Sequence, residues 1–155
     1  MRTSKSISGN TNTAPSPGAS STISRSTADR RPTVLVMEDT HTIRYAVELM
    51  LELNGYRVLS AADGLEGLSL FRRHIEEVAL VISDVEMPQM NGIQAVHAMQ
   101  RLKPGQQVIF MSARLPEDRN DLQGIANILA EFGKPFDLKQ MVKVVKQNLP
   151  APALL

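Results

Sequence analysis

Val78-Ala-Leu-Val-Ile-Ser83 runs directly into Asp84-Val-Glu86-Met87-Pro88-Gln-Met90-Asn91-Gly92, and the change of character at residue 84 decides the fold. An uncharged run rich in branched side chains, closed by turn residues, reads as a strand buried on both faces at the centre of a parallel sheet. Pro88 and Asn91-Gly92 then shape a turn and start a helix over 91–102. Working outward, the same alternation of short β-like runs and helical patterns recurs. Strands are predicted at 33–37, 56–61, 78–83, 107–111 and 128–133. Thr40 is placed to cap a first helix carrying Ile43, Val47, Met50 and Leu51 inward, which Asn54-Gly55 stops. A second helix covers 64–74, and a weakly amphipathic fourth runs from about 118 to 126, with Asn127 as its left-handed cap. Asp137 caps the last, whose stripe is Leu138, Met141, Val142, Val145 and Leu149. The expected class is α/β, a doubly wound five-stranded parallel sheet with five helices.

Composition narrows the alternatives. With 155 residues there is room for one ordinary domain, and the net charge of +1 gives no support for bulk binding to nucleic acid. No run approaches the ~18 consecutive apolar residues of a membrane helix, so no membrane insertion is expected. The absence of cysteine removes disulfides and thiolate chemistry, and fits a reducing, cytoplasmic setting. Charge is unevenly spread. Residues 1–31 hold Arg2, Lys5, Arg25, Arg30 and Arg31 against Asp29, a net of +4, which leaves −3 for residues 32–155. That first segment is Ser, Thr, Gly, Pro and Asn with Ile7 and Ile23 as its large apolar residues, too few to offset the entropy of ordering. It is read as a disordered tail, and the absence of an amphipathic stripe speaks against a transit peptide. The folded domain is expected at 32–150, with a short tail at 151–155.

Four polar positions stand just past the ends of predicted strands: Glu38-Asp39, Asp84 and, beyond 128–133, Lys134. Such positions converge in an open α/β sheet although far apart in sequence. Carboxylates so gathered repel one another unless a hard cation joins them, and this oxygen set suits Mg²⁺ together with waters and a phosphoryl oxygen. The residue types therefore point to phosphoryl transfer.

Four fragments in order, Val34-Leu-Val-Met-Glu38-Asp39, Asp84-Val-Glu-Met-Pro88, Ile109-Phe-Met-Ser112-Ala113 and Lys134-Pro135-Phe136, resemble the receiver domain of two-component response regulators, of the stand-alone chemotaxis-regulator type. The resemblance covers 33 to about 149. It implies a flavodoxin-like sheet in the order 2-1-3-4-5 and a phosphoryl group accepted on Asp84. It implies Mg²⁺ held by Glu38, Asp39, Asp84 and the backbone carbonyl of Glu86. Ser112 and Lys134 would bind phosphoryl oxygens and move inward on phosphorylation, and Lys134-Pro135 would be cis. Expected partners are a sensor histidine kinase or a histidine phosphotransfer protein upstream and an unidentified protein target downstream. No direct contact with nucleic acid is expected, since only six residues follow the last helix and none supplies an output domain. The domain would be a monomer or weak dimer and a signalling module, catalysing only its own phosphorylation and dephosphorylation. A phosphate sink or relay intermediate is the nearest alternative. A Mg²⁺-dependent phosphohydrolase is disfavoured because Glu86 stands where such enzymes carry a second aspartate, and a degenerate docking module because the site residues are intact.

The sequence departs from the pattern at one place. Glu131 occupies the position, three before the lysine, where the family usually carries an aromatic ring. Either Phe132 takes over that readout or the signal runs through the loop 113–120. Glu86 and Arg114, each two residues beyond a site residue, flank the path of an attacking water and could pair across it. His41 reads as a surface helix residue, and His74 and His97 as helix residues remote from the cleft.

Overall fold

The structure is a computed structural model that describes residues 30–114, 117 and 119–150. The expected tails at 1–31 and 151–155 lie outside the described residues, apart from Arg30 and Arg31. Five strands form one parallel sheet, β1 (Thr33–Met37), β2 (Arg57–Ala61), β3 (Val78–Asp84), β4 (Gln107–Ser112) and β5 (Ile128–Gly133). Their order is β2-β1-β3-β4-β5, as expected. Among the described residues four α-helices connect or follow them: α1 (His41–Leu53), α2 (Gly64–Arg73), α3 (Gly92–Leu102) and α4 (Leu138–Asn148).

Pleating divides the strand residues between two cores. Leu35, Met37, Val81 and Phe110 point to the side where Phe71 of α2 and Val96 and Met99 of α3 pack. Val34, Val36, Leu80, Ile82, Ile109 and Met111 meet Val47 and Leu51 of α1 and Met141 and Val145 of α4 on the other side. Every residue of β1 is buried, as a strand covered on both faces must be. Each fully buried aliphatic side chain contributes about 1.5–3 kcal/mol, so this double layer fixes which strand ends come together.

Three local expectations are corrected. The fourth helix expected at 118–126 is not formed among the described residues 119–126, where the chain makes a 3₁₀ turn, Asn120–Leu122, with Leu122 its buried anchor. Gly124, at φ +86°, turns the chain away, and the polar residues around it offer too little apolar surface to hold a helix. Asn127 does take the left-handed conformation, at φ 57°, but as a lead into β5 rather than as a helix cap. Thr40 occupies the N-cap of α1 without a capping side-chain hydrogen bond. The Glu38 carboxylate accepts from the Thr40 N–H instead, at 3.0 Å. Gly55 does end α1 in a left-handed turn, at φ 90°, and Asp137 caps α4 by accepting from the Lys139 N–H at 2.8 Å.

Gly92 fits the structure most tightly where it matters for function. It opens α3 behind an Asn91–Gln94 capping box, and its N–H donates to the Val85 carbonyl at 3.0 Å. A Cβ here would overlap the Asp84 carbonyl oxygen and the Ser83 hydroxyl. Gly92→Ala is expected to cost about 1–3 kcal/mol, because a backbone oxygen cannot yield as a flexible side chain does. Urea unfolding measures it; an unchanged midpoint would mean that α3 shifts freely relative to β3.

Candidate functional site

From β1 the chain runs through α1 to β2 on one side, and from β2 it returns through α2 to β3 on the other side of β1. The carboxyl ends of β1 and β3 therefore open a crevice at the point where the strand order reverses. Glu38 and Asp39 leave the end of β1, and Asp84 is the last residue of β3. Ser112 ends β4, and Lys134 follows β5. All the expected site residues thus reach one end of the sheet.

Carboxylate oxygens of Glu38, Asp39 and Asp84 lie within 4.8 Å of one another. Glu38 is wholly buried and Asp84 is 2% exposed, whereas Asp39 faces solvent. Glu38 is held from both ends: its carboxylate takes the Thr40 N–H, and its carbonyl takes Arg44 Nη1 at 2.7 Å. Lys134 Nζ reaches into the crevice, 2.8 Å from Glu38 Oε2 and 3.2 Å from Asp84 Oδ2. The Lys134 N–H also donates to the Ser112 carbonyl at 2.7 Å, and the Lys134-Pro135 bond is cis, as the resemblance implied.

One ammonium does not balance this concentration of charge. Burial, and next the neighbouring Glu38 charge, push the Asp84 carboxyl up to about 6, and Lys134 offsets only part of that. The buried Asp84 Oδ1 has no hydrogen-bond partner among the described residues. A desolvated, unpartnered carboxylate oxygen beside two further carboxylates is the donor set a magnesium ion takes, so these residues fit the ion. An all-carboxylate oxygen set, with Asp39 open to water, favours it over softer metals.

Ser112 sits between Glu86 and Arg114. Its hydroxyl donates to Glu86 Oε1 at 3.2 Å and accepts the Arg114 N–H at 3.0 Å. Arg114 Nε donates to the same Glu86 oxygen at 2.9 Å, so the cross-site pair suggested by the spacing is formed. Burial works against ionisation of Glu86, but the hydrogen bonds from Arg114 and Ser112 outweigh it and hold the carboxyl below its usual range.

Phe132 cannot stand in for an aromatic at 131. Glu131 pairs with Phe110 and Phe132 with Met111, so the two residues face opposite sides of the sheet. Phe132 packs under α1 and α4, with its ring centroid 6.1 Å from that of Phe136, while the Glu131 side is exposed. His41 lies on the exposed side of α1, stacked on Tyr45, and His74 pairs with Glu77, so neither enters the site.

Sequence reasoning missed two kinds of residue. Arg44, six positions after Glu38, left no signal beyond its charge. Asp121, which accepts from both Arg114 and Arg119, lies with Arg119 in the segment read as a weak helix. Beside Lys134, a largely apolar groove of about 450 Å³ runs between α1 and the start of α4, lined by Ile43, Val47, Pro135, Phe136 and Leu138 among others.

This geometry has known counterparts. The model of the response regulator receiver domain matches residues 34–146, and the chain belongs to that family. Sporulation initiation phosphotransferase F of Bacillus subtilis is 30% identical over 117 residues, covering 76% of this chain and 93% of that protein. Sensor kinase CckA of Brucella abortus is 34% identical over 128 residues, covering 76% of this chain but 12% of the kinase. The chain spans half the length or less of several other relatives, such as the regulator YbdJ of B. subtilis, of which it covers 50%. Chemotaxis protein CheY4 of Vibrio cholerae superposes with a TM-score of 0.69 at 27% identity, covering 77% of this chain and 99% of that one. The response regulator TrrA of Thermotoga maritima, solved in complex with Mg²⁺ and BeF, gives 0.66 at 27% identity, with coverage of 76% and 98%. Receiver domains are signalling modules, and that is the class of this chain.

Proposed function

We propose that this domain accepts a phosphoryl group on Asp84 from a phosphohistidine donor and signals through contacts that depend on that group. One observation carries the reading: a buried carboxylate with an unpartnered oxygen stands at the switch point of the sheet, among two more carboxylates and a lysine. An Asp84 oxygen attacks phosphorus, the bond from phosphorus to the donor nitrogen breaks, and an acyl phosphate forms. Glu38, Asp39, Asp84 and the Glu86 carbonyl would hold Mg²⁺, which neutralises the oxygens of the transferring group when bound. Lys134 gives up its contact with Asp84 and pairs with a phosphoryl oxygen. Ser112 turns its hydroxyl proton from Glu86 to another. The Mg²⁺–BeF complex of TrrA supports the same pairing of metal and phosphoryl-like group here.

The donor is a sensor histidine kinase or a histidine phosphotransfer protein, and the groove beside Lys134 offers apolar surface on which a donor helix could rest. The described residues 119–126 carry a 3₁₀ turn in place of an α-helix, which weakens one surface through which such domains would pair and supports a monomer or weak dimer. No helix among the described residues is long and apolar enough to cross a membrane, and a cytoplasmic setting follows from the proposed donors. A relay intermediate is a second reading, favoured by the likeness to sporulation initiation phosphotransferase F along nearly its whole length. Rapid back-transfer of the phosphoryl group to a phosphotransfer protein would establish it.

Incubation with acetyl phosphate, with and without Mg²⁺, followed by intact mass, tests the central reading. A Mg²⁺-dependent gain of one phosphoryl group is expected in the wild type and none in Asp84→Ala. Failure to label from acetyl phosphate and from a phosphorylated histidine phosphotransfer protein alike would overturn it.

A further inference from the structure

We propose that Asp121 is a positioning residue of this site: it seats the Arg114 guanidinium against Glu86, so that the two side chains shield the phosphoryl group on Asp84 from water. This rests on the phosphoacceptor reading above. Arg114 is half exposed, and a single exposed ion pair holds such a side chain weakly. Here the guanidinium is gripped at two points. Its Nε donates to Glu86 Oε1 at 2.9 Å, and an Nη donates to Asp121 Oδ2 at 3.0 Å. Two carboxylates on a rigid planar fork fix orientation as well as distance.

Asp121 is itself anchored from below. Its second oxygen, Oδ1, accepts from Arg119 Nε at 3.3 Å. The Arg119 side chain is 2% exposed, and one of its Nη atoms has no hydrogen-bond partner among the described residues. A cation so desolvated has few alternatives to the Asp121 carboxylate, which keeps that carboxylate in place. The 3₁₀ turn at Asn120–Leu122, pinned by buried Leu122, sets the backbone that carries it. The chain Glu86–Arg114–Asp121–Arg119 therefore ties the end of β3 to the end of β4 and to the segment before β5.

The seat gains importance once the site is occupied. Ser112 has one hydroxyl proton, now given to Glu86, and a phosphoryl oxygen on Asp84 would claim it. Glu86 then keeps Arg114 as its remaining side-chain donor, and the position of Arg114 depends on Asp121. Hydrolysis requires a water oxygen to attack phosphorus opposite the Asp84 oxygen. The phosphorus–Asp84 bond breaks, its electron pair returns to the carboxylate, and both water protons leave with phosphate as H₂PO₄⁻. Glu86 and Arg114 stand beside that approach, and unseating Arg114 opens it.

The test labels the full chain with acetyl phosphate and Mg²⁺, removes the donor by desalting, and follows retention of the phosphoryl group by intact mass. D121N and R114A should each shorten its half-life about fivefold, and the double variant no more than R114A alone. D121E should recover part of the loss, because it keeps the carboxylate. Recovery and non-additivity are outcomes that a role in folding alone does not produce. Labelled D121N with the wild-type half-life, or effects of D121N and R114A that multiply, would overturn the role of Asp121 and leave Asp84 as phosphoacceptor. A wild type that takes no label from any donor overturns both.

Discussion

Lys134→Ala is expected to lose about 3 kcal/mol of folding stability in chelator-treated buffer, and to recover much of it on addition of millimolar Mg²⁺. Lys134 Nζ lies within 3.2 Å of two buried carboxylates, Glu38 and Asp84, and is the nearest compensating cation to either. Removing one partner of a buried ion pair leaves an uncompensated charge, a change that typically costs 3–5 kcal/mol. The low end applies because the lysine side chain is 19% exposed and water can enter in its place. Magnesium ions supply positive charge to the same oxygens, so the variant should gain more from them than the wild type does. Lys134→Met separates charge from packing, since it keeps an apolar stem beside Phe136 and should behave like the alanine variant. Urea unfolding with and without Mg²⁺ measures both effects. Equal stability of variant and wild type in chelator would show that the ammonium does not hold these carboxylates.

Asp84→Asn should act in the opposite sense, raising metal-free stability at pH 7.5 by on the order of 2 kcal/mol while abolishing phosphoryl gain. Burial and the Glu38 charge hold the Asp84 carboxyl at about 6 in the folded chain, against roughly 3.9 when unfolded. Between those values the folded state binds the extra proton, so stability from this group falls as pH rises from about 4 to 6 and stays low above it. Asparagine keeps the shape and removes the charge, and its curve of stability against pH should lack that fall. Thermal unfolding from pH 4.5 to 7.5 in chelator tests the sign. A variant no more stable than wild type at pH 7.5 would mean that Lys134 already balances the site.

The architecture was legible because its signals are local. Thr33–Met37 and Val78–Asp84 are uncharged until the site begins, and such runs have few other places to go than the centre of a sheet. Gly55, Asn91 and Asp137 mark helix ends by chemistry that acts within one turn. The positions of Glu38, Asp39, Asp84, Ser112 and Lys134 followed, because each stands at a strand end and strand ends in this topology share one crevice. The weak helix failed for a related reason: around Gly124 the intrinsic preference was marginal, and nothing packed against it to tip the balance.

Other features depend on residues that meet only through folding. Thr40 looked like a cap, but its side chain makes no capping hydrogen bond, and its own N–H goes to the carboxylate of buried Glu38. Phe132 neighbours Glu131 in sequence, yet the pleat sends the two to opposite faces, so adjacency could not substitute for register. Ser112 shares its proton with Glu86, 26 residues away, and Arg114 reaches Asp121, seven residues on, with no periodic pattern to announce it. The amino-acid sequence by itself thus determined the strands of the sheet and which side chains stand at its carboxyl end, because these follow from apolar period and turn chemistry, while the strand order came through family resemblance. Only the tertiary structure decided which of those side chains are buried and whom each one touches, because desolvation and hydrogen-bond geometry are set by distances between segments that no local pattern records.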